Sequence, residues 1–150
     1  MIILVINGPN LNILGKREAT HYGAKTVAEI EGLVREKAKE LGVDVEFFQS
    51  NHEGALIDYL QSAALDASGI IINAGALTHY SLSLRDALVD SRLPIVEVHL
   101  SNIHAREEFR RHSIIAQVAL GQITGLGWWG YIYALDFLAT HLIREGSASG

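Results

Sequence analysis

Short, almost uniformly apolar runs recur along the chain, and each is separated from the next by a segment of helical periodicity. Such runs lack a solvated face and are typical of strands that helices cover on both sides. Strands that alternate with helices predict βα units around a parallel sheet. The predicted strands are residues 2–6, 43–49, 69–73, 94–100 and 117–123.

The segments between these runs carry signals for the ends of helices. Thr26 to Glu29 is typical of a capping box, and Ser50 to Glu53 repeats the pattern before the next helix. Gly42 and Gly69 lie where a helix is expected to end and a strand to begin. Besides the helices that follow the two capping signals, the predicted helices cover residues 80–90, 105–111 and about 128–143.

These elements predict a single three-layer α/β domain over residues 1–150, with a flavodoxin-like, doubly wound, five-stranded sheet in the order 2-1-3-4-5. Ligands in such sheets bind beyond the carboxyl ends of the strands, where strands 1 and 3 diverge. Residues 11–24 are expected to form a lid over this site, and residues 146–150 a frayed tail.

Composition indicates which classes of partner and which cellular compartment to expect. The net charge of −5 disfavours nucleic acid as a partner. The absence of cysteine excludes disulfides and thiolate chemistry and suits a reducing cytoplasm. Asp136 and His141 interrupt the apolar stretch 123–143, so no membrane span is expected. The amino terminus lacks the basic region of a signal peptide, and we expect a cytoplasmic protein.

The segment after strand 1 is long for a βα loop and offers the amide of Asn10, Arg17 and Tyr22. It lacks the glycine spacing of a phosphate-binding loop, which argues against nucleotides. A hydroxyl-rich flavin loop and an acidic phospho-receiver cluster are also missing. The alternative interpretation is a surface loop with Asn/Gly turns and a solvated charge pair.

The loops after strands 3 and 4 each present an asparagine and a histidine, beginning at Asn73 and at Glu97 respectively. Glu97 and His99 are two residues apart on one strand, so their side chains share a face. A carboxylate in that position orients the imidazole and favours its protonated form, which makes His99 a candidate acid.

Segment 105–111, taken as a helix, places Arg106 and Arg110 one turn apart on one face. At least one of them is a candidate for binding a substrate carboxylate, whereas Glu107 and Arg111 are expected to be solvent-exposed. The seven histidines form no metal-binding motif, and no GxSxG elbow is present. The sequence therefore predicts neither a metal site nor a serine hydrolase.

Several blocks together resemble the type II 3-dehydroquinate dehydratases: ILVINGPNLNILGKRE, HYG, INAGALTH, SLRDAL, EVHLSN, HAREEFRRHS and a GLG-GY-AL stretch. They cover nearly the whole chain in the family's order. The resemblance implies a flavodoxin-like fold, no metal or coenzyme, and homododecamers built as tetramers of trimers. It also implies reversible anti dehydration of 3-dehydroquinate to 3-dehydroshikimate through an enolate, in aromatic biosynthesis or in quinate breakdown.

The resemblance also implies the role of individual residues. Tyr22 matches the proton-abstracting base, and Arg17 matches the residue that activates it. Asn10 matches the asparagine that holds a water against the enolate oxygen. His99, supported by Glu97, matches the acid that protonates the departing hydroxyl.

A second group of positions matches the family's substrate-binding set. Asp86 corresponds to an aspartate that reaches the site from a neighbouring subunit. The others are Asn73, His79, Arg110 and the backbone of Leu100 and Ser101.

Electrostatics is consistent with a tyrosine base beside an arginine. A free phenol, with a pKa near 10, is only about 0.1% ionised at neutral pH. A guanidinium about 4 Å away stabilises a phenolate by roughly 4 kcal/mol at an effective dielectric near 20. Lysine is a poorer substitute because a guanidinium stays charged and holds its donors in a fixed plane.

Two features depart from the family pattern. Ala19 stands where the family commonly has proline, which predicts a more mobile empty lid. The pair Trp128-Trp129 is not typical of the family, and we expect it to pack in the core or at a subunit interface.

Overall fold

Five parallel strands form one sheet in the order β2-β1-β3-β4-β5, as the sequence predicts. The structure, a computed structural model, describes residues 1–150. All four strand pairings are parallel, and β1 and β3 run in register from Ile3 opposite Gly69 to Asn7 opposite Asn73. The strands are β1 (Ile2–Asn7), β2 (Asp44–Gln49), β3 (Gly69–Asn73), β4 (Ile95–His99) and β5 (Gly121–Thr124).

Helices cover both faces of the sheet, and this confirms the three-layer, doubly wound architecture. Alternate side chains of β1 enter different cores: Ile3 and Val5 pack toward α2 and α5, and Leu4 and Ile6 toward α3 and α4. Because both faces are buried, β1 has no polar position before its end, which explains its uniformly apolar sequence. The helices are α1 (Ala19–Tyr22), α2 (Val27–Leu41), α3 (Glu53–Ala63), α4 (Leu82–Ser91) and α5 (Trp129–Ala148).

The ends of the helices follow the predicted signals in part. The Thr26 hydroxyl accepts the Glu29 backbone N–H at 3.2 Å and caps α2. Gly42 ends that helix with φ of 70°, a conformation that favours glycine. The capping box predicted at Ser50 is wrong: His52 precedes α3 without a side-chain cap, and the Ser50 hydroxyl accepts the His52 N–H instead.

Strand 5 is shorter and later than predicted. Residues 116–118 form a 3₁₀ turn, and β5 begins only at Gly121. The apolar residues before it pack as a loop: Ile115 is buried in the core beneath α3 and α4, and Ala119 packs against it. The side chains in this stretch are apolar because they are buried, not because they form a strand. The predicted start of strand 5 at residue 117 is therefore wrong, and so is its end at residue 123.

The helix predicted over residues 105–111 does not form. Two 3₁₀ turns, Ile103–Ala105 and Glu108–Arg110, flank Arg106, which has extended backbone angles of −103° and −160°. The side chain of Asn102 begins the first turn by accepting the His104 N–H at 3.1 Å. Arg106 and Arg110 therefore do not lie one turn apart on a helical face.

The last helix is longer than expected. α5 continues to Ala148, so most of the predicted tail 146–150 is helical. Trp128 packs against the core beneath α2 and α5, as expected, whereas Trp129 stacks on it at 4.2 Å and is 49% exposed. None of the helices combines the length and the hydropathy that crossing a bilayer requires.

Candidate active site

A cavity of about 100 Å³ opens at the carboxyl ends of β1, β3 and β4, the position that the sheet topology predicts. Three guanidinium groups line it, those of Arg17, Arg106 and Arg110, and no carboxylate side chain is among its lining residues. An acidic protein thus has a cationic cavity, which suits a small anionic ligand. The other predicted site residues that line it are Asn10, Tyr22, Asn73, His79, His99, Leu100 and Ser101.

Close backbone packing brings the loops after β1 and β3 together. A Cβ on Gly8 would lie 2.5 Å from the carbonyl oxygen of Ala74, so only glycine fits there. Asn10 follows with φ of 70°, a left-handed conformation that asparagine tolerates better than most residues. The backbone N–H of Asn10 donates to the Asn51 side chain at 2.9 Å, which fixes the start of the predicted lid.

Tyr22 lies at the end of the short helix α1, between two arginines. The Arg17 guanidinium stacks on the Tyr22 ring, with 3.6 Å between Cζ and the ring centroid. Arg106 Nη1 donates to the Tyr22 hydroxyl oxygen at 2.9 Å and also contacts the Ser101 hydroxyl at 3.3 Å. The hydrogen bond to the phenol oxygen therefore comes from Arg106, whereas Arg17 contacts the aromatic face.

This contact of Arg106 is a role that the sequence reasoning missed. The sequence predicts Arg106 only as a candidate for binding a substrate carboxylate from a helical face. The extended backbone at Arg106 turns its side chain inward, where it is only 12% exposed. No local pattern signals this bend, and the only hint was the position of Arg106 within the HAREEFRRHS block.

Glu97 lies behind His99 and does not line the cavity. It is fully buried, and His99 Nε2 hydrogen-bonds its Oε2 atom. Thr78 Oγ1 donates to the same oxygen at 2.6 Å, and Ser113 Oγ donates to Oε1 at 2.7 Å. Burial alone would raise the pKa of Glu97, but the hydrogen bonds and charge of His99, with the two hydroxyls, outweigh it and lower that pKa.

One hydrogen bond orients each of the side chains of His79 and Asn73. His79 Nδ1 lies 2.8 Å from the His112 carbonyl, so Nδ1 carries the proton and Nε2 is left as an acceptor. Burial lowers the pKa of His79, and the nearby Arg110 acts in the same direction. Asn73 Nδ2 donates to the Tyr131 hydroxyl at 3.1 Å, which orients the amide.

Arg110 is positioned from outside the cavity. Its Nε donates to Glu107 Oε2 at 2.8 Å, and Glu107 is itself exposed, as predicted. Because this pair is partly solvated, it orients the guanidinium more than it stabilises the fold.

Asp86, like Glu97, is a predicted site residue that does not line the cavity, and unlike Glu97 it contacts no residue that does. It lies on α4, its side chain is 70% exposed, and its nearest cation is Arg85 at 3.8 Å. Within one chain it contributes nothing to this cavity. No group of three histidine, aspartate or glutamate side chains is arranged to hold a metal ion.

The sequence matches the family model described as dehydroquinase class II over residues 1–139. The chain belongs to the class II dehydroquinase family. A 3-dehydroquinate dehydratase of Herpetosiphon aurantiacus is 58% identical over 91% of this chain and 95% of that protein. A catabolic 3-dehydroquinase of Podospora anserina is 50% identical over 96% of this chain and 97% of that protein.

Solved structures of the family share the fold. The type II dehydroquinase of Butyrivibrio crossotus superposes with a TM-score of 0.90, is 49% identical and covers 92% of this chain and 97% of its own. The resemblance seen in the sequence blocks is thereby confirmed for the class II dehydroquinase family and for its fold.

Proposed function

We propose that this class II dehydroquinase catalyses the reversible anti elimination of water from 3-dehydroquinate, giving 3-dehydroshikimate. The observation that carries the proposal is one cavity lined both by a phenol held between guanidiniums and by an imidazole held by a buried carboxylate. These two groups supply the base and the acid that an elimination needs. The relatives named as 3-dehydroquinate dehydratases support the choice of substrate.

In the first step, the Tyr22 phenolate removes a proton from the carbon beside the substrate ketone, and the electrons move onto the ketone oxygen as an enolate. The hydrogen bond from Arg106 and the stacked Arg17 stabilise the negative phenolate before the transfer. Asn10, which lines the same cavity, holds a water that donates to the enolate oxygen.

In the second step, the enolate collapses, the bond from the β-carbon to its hydroxyl breaks, and His99 gives a proton to the leaving oxygen. Water and the conjugated enone are the products. The Glu97 carboxylate stabilises the imidazolium and fixes the ring, because its hydrogen bond to Nε2 leaves Nδ1 for the substrate.

Substrate binding uses the cationic surroundings of the cavity. Arg110, Asn73 and His79, together with the backbone of residues 100–101, supply donors and acceptors for the carboxylate and hydroxyl groups of the substrate. The cavity includes no carboxylate of its own chain, and Asp86 on α4 is exposed. We assign Asp86 to the site of a neighbouring subunit.

We propose that the protein assembles as a homododecamer, a tetramer of trimers, in which a neighbouring subunit supplies Asp86. We expect it to act in the cytoplasm and to use no metal or coenzyme. The biosynthetic role in the shikimate pathway, which leads to aromatic amino acids, is the main interpretation. Quinate catabolism uses the same reaction and is the alternative, and the catabolic Podospora anserina relative keeps it open.

The decisive experiment is the dehydratase assay on purified protein. Addition of 3-dehydroquinate should produce the near-ultraviolet absorbance of the enone, and a chelator should leave the rate unchanged. Treatment with borohydride in the presence of substrate should not inactivate the protein, which separates it from Schiff-base dehydratases. If no enone forms with wild-type protein, the proposed function is wrong. Light scattering then measures the mass and tests the dodecamer.

A further inference from the structure

We propose that Thr78 and Ser113 are positioning residues for the acid step, holding Glu97 in its ionised form and in contact with His99. Neither residue lines the cavity, so neither touches the substrate. Thr78 is fully buried and Ser113 is 8% exposed. The proposal rests on the proposed function for its effect on turnover, but the contacts themselves can be tested without it.

Two hydrogen bonds to backbone carbonyls hold the segments that carry these hydroxyls together. The Ile114 N–H donates to the Thr78 carbonyl at 2.9 Å. The next residue after Thr78, His79, donates from Nδ1 to the carbonyl of His112, the residue before Ser113, at 2.8 Å. The segment after β3 and the segment around Ser113 are thus joined on both sides of the hydroxyl pair. As a result, the two hydroxyls meet Glu97 in one geometry and do not have to be ordered during the reaction.

The protons of this cluster can all be placed when Glu97 is ionised. Each hydroxyl carries one proton, and each donates it to the carboxylate, at 2.6 Å from Thr78 and 2.7 Å from Ser113. Ser113 Oγ in turn accepts the Ala116 N–H at 3.0 Å. A protonated Glu97 would add a fourth hydrogen among the same oxygens and displace one of the three donors. The arrangement therefore selects the carboxylate over the carboxylic acid.

The charged groups around the cluster act on the same equilibrium. His99 contacts Glu97 directly, and His79 lies close enough to feel the charges of His99, Arg110 and Glu97. Removal of these cations would affect binding and chemistry together. The two hydroxyls are different, because they carry no charge and do not line the cavity. Besides Glu97 they contact each other at 2.9 Å, and Ser113 Oγ also accepts the Ala116 N–H, so Thr78→Val is the variant that perturbs the rest of the cluster least.

The experiment compares wild type with Ser113→Ala and Thr78→Val, which remove the donors with little change of shape. Infrared spectroscopy follows the carboxyl C=O band of buried Glu97 during a pH titration, with Glu97→Gln to assign it. A hydrogen bond to a charged group is strong enough that we expect each variant to move the midpoint up by about one pH unit. Thr78→Ser restores a donor and should restore the wild-type midpoint.

Ser81→Ala is the matched control. Ser81 is also buried and donates to a glutamate, Glu53, at 2.6 Å, but neither residue lines the cavity. This variant should lower the melting temperature and leave the Glu97 band where it is in wild type. It therefore separates a general loss of stability from a specific effect on the carboxylate.

Turnover provides the second measurement. In Ser113→Ala and Thr78→Val, kcat should fall with little change in KM, and the deficit should grow as the pH is lowered. Unchanged infrared midpoints, or a loss of kcat that is equal at every pH, would overturn the proposal. If wild type fails to turn over 3-dehydroquinate, the proposed function fails, and the infrared titration still decides whether the hydroxyls hold Glu97 ionised.

Discussion

The two arginines beside Tyr22 should contribute unequally to catalysis. Arg106 donates directly to the phenol oxygen at 2.9 Å, whereas Arg17 stacks 3.6 Å from the ring centroid. A hydrogen bond from a charged donor is worth about 1.5–3 kcal/mol, which corresponds to a factor of about 10 to 150 in rate. A cation–π contact at a partly exposed ring is worth about 0.5–2 kcal/mol.

We therefore expect Arg106→Ala to lower kcat by about 100-fold and Arg17→Ala by about 10-fold. Both are measured by the appearance of the enone under saturating substrate. Added guanidinium should partly restore the Arg106→Ala variant, because a free cation can occupy the same position beside the phenol. Arg35→Ala, which removes a cation–π contact to Phe47 away from the cavity, is the matched control and should retain wild-type kcat.

Two results would refute this reasoning. If Arg17→Ala lost more activity than Arg106→Ala, the stacked arginine would be the principal activator, as the family resemblance implies. If Arg106→Ala raised KM with kcat unchanged, Arg106 would bind the substrate in the ground state instead of stabilising the phenolate.

Further predictions concern the base, the buried tyrosine, pH and the lid. Tyr22→Phe should lower kcat by orders of magnitude while isothermal titration still detects product binding; an active variant would require another base. Tyr131→Phe removes the hydroxyl that bonds Asn7 Oδ1 and Asn73 Nδ2 and should cost about 1–3 kcal/mol in the free energy of unfolding by urea. The pKa of His79 is lowered in the folded state, so the unfolded state takes up the proton at a higher pH. The free energy of unfolding should therefore fall as the pH drops below the pKa of His79 in the unfolded chain. The fall should be smaller in His79→Asn. Ala19→Pro places proline at the first position of α1, after Glu18 with non-helical backbone angles of −57° and 113°. Trypsin should therefore cleave the lid more slowly, and faster cleavage would contradict this.

Sheet order and the location of the cavity could be predicted because burial on both faces imposes a clear pattern. The runs that became β1 and β3 are apolar throughout and end in asparagine, so the pattern identified both the strand and the side chain beyond it. The run before β5 was equally apolar but packs as a loop, because burial does not distinguish these two conformations.

The partners of Tyr22 and Glu97 could not be predicted because they depend on contacts between distant segments. Arg106 and Tyr22 are 84 residues apart, and an extended residue in place of a helix decides their contact. Thr78 and Ser113 are 35 residues apart and are joined only when their two segments pair. Thr78 follows an apolar stretch and Ser113 precedes one, but no local pattern indicates that the two hydroxyls meet the same carboxylate.

The contacts of Tyr131 tie the ordering of this site to the last helix that the ribosome synthesises. Its hydroxyl donates to Asn7 at the end of β1 and accepts from Asn73 at the end of β3. Both asparagines leave the ribosome well before Tyr131, which comes from the last helix. Until α5 docks, Asn7 Oδ1 and Asn73 Nδ2 lack the hydroxyl that joins them. A nascent chain that already contains the proposed catalytic residues therefore still lacks the contact that orients Asn73, and we expect activity to appear only with the final helix.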